Sequence, residues 1–212
     1  MSARIAILDY GMGNLRSAEK ALEQVGASVT VTRDHGEIRG ADGLVLPGVG
    51  AFPKAMRSVR ELGFDELIAE RLEHGTPVLG ICLGMQLLFE SSTELGGAEG
   101  LGLLPGTVEK LDAPGLKVPE IGWNPVRWRR SSELVQGLPD PCPMYHVHSY
   151  APRPELDGDV LGTATYSTEF VSAVERAPIY GTQFHPEKSS ENGLRLLANF
   201  TRIAASALRR AA

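Results

Sequence analysis

Four short runs rich in Val, Ile and Leu recur through the first half of the chain: RIAIL (4–8), SVTVT (28–32), DGLVLP (42–47) and PVLGI (77–81). Each is closed by Gly, Pro or Asp, and none is long enough to be a helix. Apolar runs of this length suit parallel strands covered on both faces. Between them lie two segments with helical spacing, the first marked by Leu15, Ala18, Leu22 and Val25 and the second by Met56, Val59 and Leu62 and later Leu67, Ile68 and Leu72. Strand alternating with helix predicts an α/β fold with an open, mostly parallel central sheet flanked by helices.

The texture changes after about residue 100. GLGLLPGTVEKL, VPEIGWNPVRW and PMYHVHSYAP show short alternating segments broken by Gly and Pro, which predict an added antiparallel strand region in the C-terminal half. VLGTATY (160–166) and FVSAVERA (170–177) flank a polar turn at Ser167–Glu169, and IYGTQF (179–184) follows. A final helix is marked by Leu196, Leu197, Phe200, Ile203, Ala207 and Leu208 on one face. With no repeat, low-complexity tract or linker, residues 1–212 read as one domain.

Composition removes several function classes. A formal charge of -5 over 212 residues gives no reason to expect a surface for nucleic acid or an anionic membrane, which needs concentrated Lys and Arg. The N-terminal apolar stretch is cut short by Asp9, too early for a signal-peptide core or a membrane span, so a cytoplasmic protein is expected. Cys82 and Cys142 make neither a disulfide framework nor a zinc-knuckle spacing. Cys142, within PDPCP, reads as structural.

Cys82 is different because glycines stand two residues away on both sides, in Gly80-Ile81-Cys82-Leu83-Gly84. That is the spacing of a nucleophile elbow, where a strand turns sharply into a helix and only small residues let the backbone pass. PVLGI supplies the strand and LGMQLLFE the helix, with Leu83, Leu87 and Leu88 facing inward. A thiol at a helix N-terminus is favoured as thiolate. An inert buried cysteine is the alternative, and the flanking glycines weigh against it.

A thiolate nucleophile works with a histidine, and that histidine with a group that orients it. His35 and His74 lie in polar, turn-like surroundings and read as surface residues. His146 and His148 alternate with Tyr145 and Val147 and share one face, either a binding surface or the wet side of a sheet. His185 ends a strand and is followed by Pro186 and Glu187, so both side chains project from a stiff strand end. Sites in open α/β sheets form there, and an acid beside the imidazole is the triad arrangement. A capping or solvated histidine is the plainer alternative. LPGVGAF (46–52) is a third strand end, whose glycines allow main-chain N–H groups to approach a ligand. The N–H groups of Leu83 and of the Val49–Gly50 loop are candidate oxyanion donors, each worth ~3 kcal/mol of barrier in comparable sites.

On Cys82 in GICLGMQ and His185-Pro186-Glu187 in FHPEKS, the chain resembles the class I glutamine amidotransferases over nearly its whole length. DYGMGNLRS (9–17), PGVGAF, IGWN (121–124), VHSY (147–150) and FHPEKSSENG (184–193) narrow the resemblance to the glutaminase subunits of imidazole glycerol phosphate synthases. The resemblance implies a Cys82, His185 and Glu187 triad, with Gly50, Gln86, His148 and Ser149 holding glutamine. It implies a docking surface at Asn14, Trp123, Tyr145 and Lys188 for a separate cyclase subunit with a (βα)8 barrel. That subunit receives ammonia and makes imidazole glycerol phosphate and aminoimidazole carboxamide ribonucleotide for histidine biosynthesis. No cofactor and no metal are implied. Two positions depart from the pattern, Glu120 where similar sequences often carry His and His146 where Phe is more usual. Trp128 carries no motif and reads as packing.

Two other function classes fit parts of the pattern. His146, His148 and His185, with or without Cys82, suggest a metal-dependent hydrolase, but no clustered Asp or Glu completes such a site. A non-catalytic α/β binding module would keep the fold and lose the chemistry, against which the intact Cys, His and Glu set stands.

Overall fold

The computed structural model describes residues 2–210, with side chains through residue 207. The expected inward face of Leu208, and the ends of the 1–212 span at Met1, Ala211 and Ala212, lie outside the described residues. Five strands build the parallel half of a nine-stranded sheet: β1 (Arg4–Leu8), β2 (Ser28–Thr32), β3 (Gly43–Gly48), β4 (Val78–Cys82) and β13 (Ile179–Thr182). Their order is β2-β1-β3-β4-β13, and every neighbouring pair in it is parallel. The sheet continues antiparallel through β12 (Thr168–Arg176), β11 (Val160–Tyr166), β8 (Glu120–Trp128) and β9 (Cys142–His148). The predicted α/β architecture and the antiparallel C-terminal region are both present. A smaller four-stranded sheet joins β10 (Tyr150–Pro154), β7 (Leu104–Lys110), β5 (Phe89–Ser92) and β6 (Ala98–Glu99).

Strand pleating divides the core into two layers. Along β1, Ile5 and Ile7 join a cluster with Leu22 of α1 (Leu15–Gln24) and Phe200 of α6 (Ser190–Arg210). Ala6 and Leu8 face the other way, toward Phe52 and Met56 of α3 (Phe52–Glu61) and Phe64 of α4 (Phe64–Glu73). Each large side chain buried this way contributes ~2 kcal/mol relative to exposure. SVTVT departs from the expectation of a strand buried on both faces, because β2 is the sheet edge and only Thr32 in it is buried.

Several boundaries also differ from the sequence reading. Residues 52–73 form two helices rather than one, because Gly63 adopts φ 64° and ends the first. A short helix α2 (His35–Arg39) joins β2 to β3, its N-terminus capped by Asp34 Oδ1 accepting from Glu37 N at 2.9 Å. The helix after Cys82, α5, runs only from Leu83 to Leu87 instead of through residue 90. The N–H groups of Leu101 and Leu103 bond the carbonyls of Leu87 and Leu88, drawing the chain into β5 with Phe89 fully buried. The turn expected at 167–169 is tighter, with Ser167 alone at φ 64° between β11 and β12. Trp128 is half-buried, edge-on to Phe184, and donates from Nε1 to Pro139 O at 2.9 Å.

Two glycines let β3, β4 and α5 close on one another. A Cβ on Gly84 would collide with the Leu46 carbonyl, and one on Gly80 would lie 2.7 Å from the Gly84 backbone. Both neighbours are main chain and cannot step aside. Gly84→Ala is therefore expected to cost ~3 kcal/mol in urea unfolding, at the high end for overpacking. Gly158→Ala, where nothing lies within 4 Å, should change stability by less than ~0.5 kcal/mol. Equal stability of the two variants would contradict this packing.

Candidate active site

Cys82 is the last residue of β4 and the N-cap of α5, with φ 55° and ψ -111°. Positive φ at a residue with a side chain costs ~1–3 kcal/mol and persists where surrounding packing over-determines it. Here the packing is the Gly80–Gly84–Leu46 contact. The thiol is buried and accepts from Gln183 Nε2 at 3.6 Å.

His185 reaches the same end of the sheet because β13 lies parallel to β4, with Thr182 paired to Ile81. The strand stops at Thr182 rather than at 184, but Gln183 N still bonds Ser172 O and His185 N bonds Tyr145 O. Pro186 then opens a single tight turn, closed by Ser189 Oγ donating to His185 O at 2.7 Å. This turn brings Glu187 back so that His185 Nδ1 donates to its Oε1 at 2.7 Å, with side chains only 2% and 4% exposed. Burial opposes charge on the imidazole, yet the neighbouring Cys82 sulfur and Glu187 outweigh it and raise the His185 pKa to about 9. Its Nε2 is buried and closes no hydrogen bond.

A cavity of about 260 Å³ opens over the thiol, lined by Cys82, Val49, Gly50, Gln86, His148 and Ser149 among others. Six sequence-predicted residues thus share one wall, while His185 and Glu187 are buried outside its lining. Larger hollows elsewhere on the chain, such as one between Glu73 and Tyr180, hold none of these groups. Leu83 N–H belongs to the first turn of α5, where donors have no intrahelical partner. Opposite it, Gly48 pairs with Cys82 across the sheet, and Tyr10 Oη donates to Pro47 O at 2.7 Å. Beyond that anchor the chain turns through Val49, 42% exposed, and Gly50 at φ 114°, beside which the Met12 methyl sits.

Other residues were not legible as site members. Gln183 is fully buried between Cys82 and Gln86, and its place two residues before His185 is the one sequence signal that could have found it. Glu94 lines the cavity with a carboxylate that also accepts from Phe52 N at 2.8 Å. Nothing in its local sequence marks it. Gln86 donates from Nε2 to both Tyr150 O and Gln183 Oε1, at 2.9 and 3.0 Å.

His146 and His148 do share a face, but it is buried rather than wet. His146 bonds Met144 O and Ser172 Oγ, and burial with His148 nearby lowers its pKa to about 4. Among the described residues no group of three or more His, Cys, Asp or Glu is arranged to hold a metal ion. His35 is half-buried, bonded through Nε2 to Leu62 O at 2.8 Å, whereas His74 is exposed. Cys142 is fully buried in the core, and burial pushes its thiol up to about 11.

Outside the cavity, Trp123 stands 55% exposed and edge-on to Tyr145, with ring centroids 6.2 Å apart. Lys188 Nζ lies 6.0 Å from the Tyr145 ring centroid, so these three form one surface cluster. Asn14 is exposed at the N-cap of α1 and makes no side-chain capping bond.

The charge on His185 carries a direct expectation. Its folded pKa, about 9, lies above the ordinary 6.5, so protonation stabilises the fold fully below pH 6.5 and that contribution fades as pH rises through 9. Imidazole NMR should show His185 titrating near pH 9, and Glu187→Gln should move the midpoint downward. A midpoint near 6.5 in both proteins would contradict the paired geometry.

Comparison with known proteins converges on the same chemistry. The glutamine amidotransferase class-I family model matches residues 6–204. The chain is 52% identical over 196 residues to the imidazole glycerol phosphate synthase subunit HisH of Moorella thermoacetica, covering 92% of this chain and 93% of that one. It is 49% identical to the HisH subunit of Aquifex aeolicus, covering 95% and 97%. A crystal structure of a glutamine amidotransferase superposes with a TM-score of 0.73 at 23% identity, over 95% of this chain and 98% of that one, a likeness of fold. A family match across nearly the whole chain, with half the residues shared with HisH subunits, means that this chain belongs to the class I glutamine amidotransferase family, in its HisH branch.

Proposed function

We propose that the chain is the glutaminase subunit of an imidazole glycerol phosphate synthase, hydrolysing glutamine to glutamate and ammonia through a thioester on Cys82. The observation that carries this reading is the strained Cys82 elbow, beside the buried His185–Glu187 pair, under a small cavity containing a carboxylate. Family membership supports it.

In the first step Cys82 Sγ, as thiolate, attacks the side-chain amide carbon of glutamine, and the carbonyl π pair moves onto oxygen. Leu83 N–H and the Val49 peptide N–H are the donors assigned to that oxyanion. Protonated His185 gives its Nε2 proton to the amide nitrogen, the C–N bond breaks, and ammonia leaves. Neutral Nε2 then takes a proton from water as the water oxygen attacks the thioester. Collapse breaks the C–S bond, releases glutamate and restores the thiolate–imidazolium pair. Glu187 holds the imidazole by Nδ1 throughout and matches its charge. Gly50, Gln86, His148 and Ser149 hold the amino-acid end or amide of glutamine, and the Glu94 carboxylate suits its ammonium group.

Ammonia then passes to a cyclase subunit with a (βα)8 barrel, docked over Asn14, Trp123, Tyr145 and Lys188. There it is used on a phosphoribulosyl formimino carboxamide nucleotide to give imidazole glycerol phosphate and aminoimidazole carboxamide ribonucleotide. The exposed Trp123–Tyr145–Lys188 cluster supports this placement, since interfaces concentrate energy in aromatic anchors. One amidotransferase domain acting in the cytoplasm completes the reading. No helix among the described residues is long and apolar enough to cross a membrane.

Cys82→Ala is expected to abolish glutamine-dependent synthesis by the assembled complex and leave ammonia-dependent synthesis within about twofold, as for loss of one reacting group. Loss of both in a properly assembled complex would contradict this division of labour. A second expectation concerns the loop, because glycines on both sides of Val49 make its peptide easy to rotate. Glutaminase activity of the lone chain should be low and should rise at least about a hundredfold when the cyclase and its nucleotide bind, the scale of one oxyanion donor. High activity in the lone chain, unchanged by the partner, would contradict it.

A further inference from the structure

The strand that carries the docking aromatic also carries a buried acid. Along β8, Ile121 and Trp123 are 64% and 55% exposed, whereas Glu120 and Asn124 are buried. Glu120 lies directly across the ladder from His148. Its Oε1 accepts from Asn124 Nδ2 at 2.7 Å, and Asn124 also donates to Thr165 O at 2.9 Å. Its Oε2 faces His148 Nε2 at 3.3 Å. A carboxylate this deep is costly unless matched by charge. Burial opposes its ionisation, but His148 and Asn124 outweigh burial and hold the Glu120 carboxyl below the usual range. His148 Nδ1 faces the Tyr150 carbonyl at 2.9 Å, and a carbonyl only accepts, so that nitrogen carries a hydrogen. Glu120 Oε2 and His148 Nε2 are both buried and neither closes a hydrogen bond elsewhere, so each is left facing the other.

From His148 the contacts continue to the nucleophile. Tyr150 O also accepts from Gln86 Nε2 at 2.9 Å, the same nitrogen donates to Gln183 Oε1 at 3.0 Å, and Gln183 Nε2 donates to Cys82 Sγ at 3.6 Å. His148, Tyr150 and Gln86 line the cavity over the thiol. A chain of polar contacts therefore leads from the inward side of the docking strand to Cys82, hydrogen-bonded from His148 onward and joined to Glu120 by the 3.3 Å contact.

We propose that Glu120 is a positioning residue for glutamine, clamping His148 so that the 148–150 wall and Gln86 keep their places against Cys82. This rests on the glutaminase reading above and adds a residue that touches neither glutamine nor the thiol. It also gives docking on the Trp123 side of β8 a physical route to glutamine affinity, because one strand bears both groups. Glu120→Gln keeps the acceptor for Asn124 but meets His148 with a neutral amide.

The test is steady-state glutaminase kinetics of the chain bound to its cyclase subunit, with the nucleotide ligand present. A wild-type complex that hydrolyses no glutamine would overturn the glutaminase reading itself, whereas an active one isolates Glu120. Glu120→Gln should raise KM for glutamine about tenfold and leave kcat within about twofold, the pattern of lost binding rather than lost chemistry. The double variant with His148→Gln should be no worse than His148→Gln alone, since both act through one contact. An unchanged KM, a loss confined to kcat, or effects that multiply would overturn the proposal. Should Glu120→Gln fail to fold, Asn124→Ala loosens the same clamp from its other side. There a rise in KM of about threefold supports the proposal and an unchanged KM overturns it.

Discussion

Everything in the site depends on how closely β3, β4 and α5 approach one another at Gly80 and Gly84. Without side chains there, the backbone of α5 lies against the Leu46 carbonyl, and Cys82 is forced to φ 55° as the strand turns into the helix. The strain is local and the packing that imposes it spans three elements. The same parallel register that places Gly48 opposite Cys82 sets the Val49 loop over the thiol. On the other side, β13 delivers His185 and Glu187. One steric constraint thus fixes the Cys82 thiol, and the sheet's parallel order brings the His185–Glu187 pair and the Val49 loop to the same carboxyl ends of the strands.

The antiparallel half of the sheet does a different job. Strands β8 and β9 present Trp123 and Tyr145 outward and Glu120, His146 and His148 inward, an alternation that follows from the pleat alone. Of the inward groups, His146 is kept neutral among Phe170 and Phe184, while His148 faces an ionised acid. Across the ladder Gly122 lies opposite His146 and Glu120 opposite His148, so only the second histidine is paired with a side chain there.

Much of this was legible in the sequence because it rests on local rules. The strand runs, the glycines around Cys82 and the Pro186 turn each encode their geometry within a few residues, and the structure brings those segments together. What was hidden depends on distant contacts. α5 stops at Leu87 because residues 101–104 claim the carbonyls that a longer helix would use. β2 looks like a covered strand but lies at the sheet edge. Gln183 and Glu94 are ordinary polar residues in sequence and become site members only through the fold. Glu120 stood out as a departure from a pattern, but its ladder partner could not be read without the register of β8 against β9.

The central claim is that Cys82, held in this elbow, is the residue to which glutamine becomes covalently attached. Acid-quenching the cyclase-bound protein during turnover with isotopically labelled glutamine, then mapping peptides by mass spectrometry, tests it directly. The account predicts one labelled glutamyl group on the peptide containing Cys82, and none when His185 and Glu187 remain intact but Cys82 is replaced by Ser or Ala. Active turnover with no label on Cys82, or with label on another residue, would contradict it.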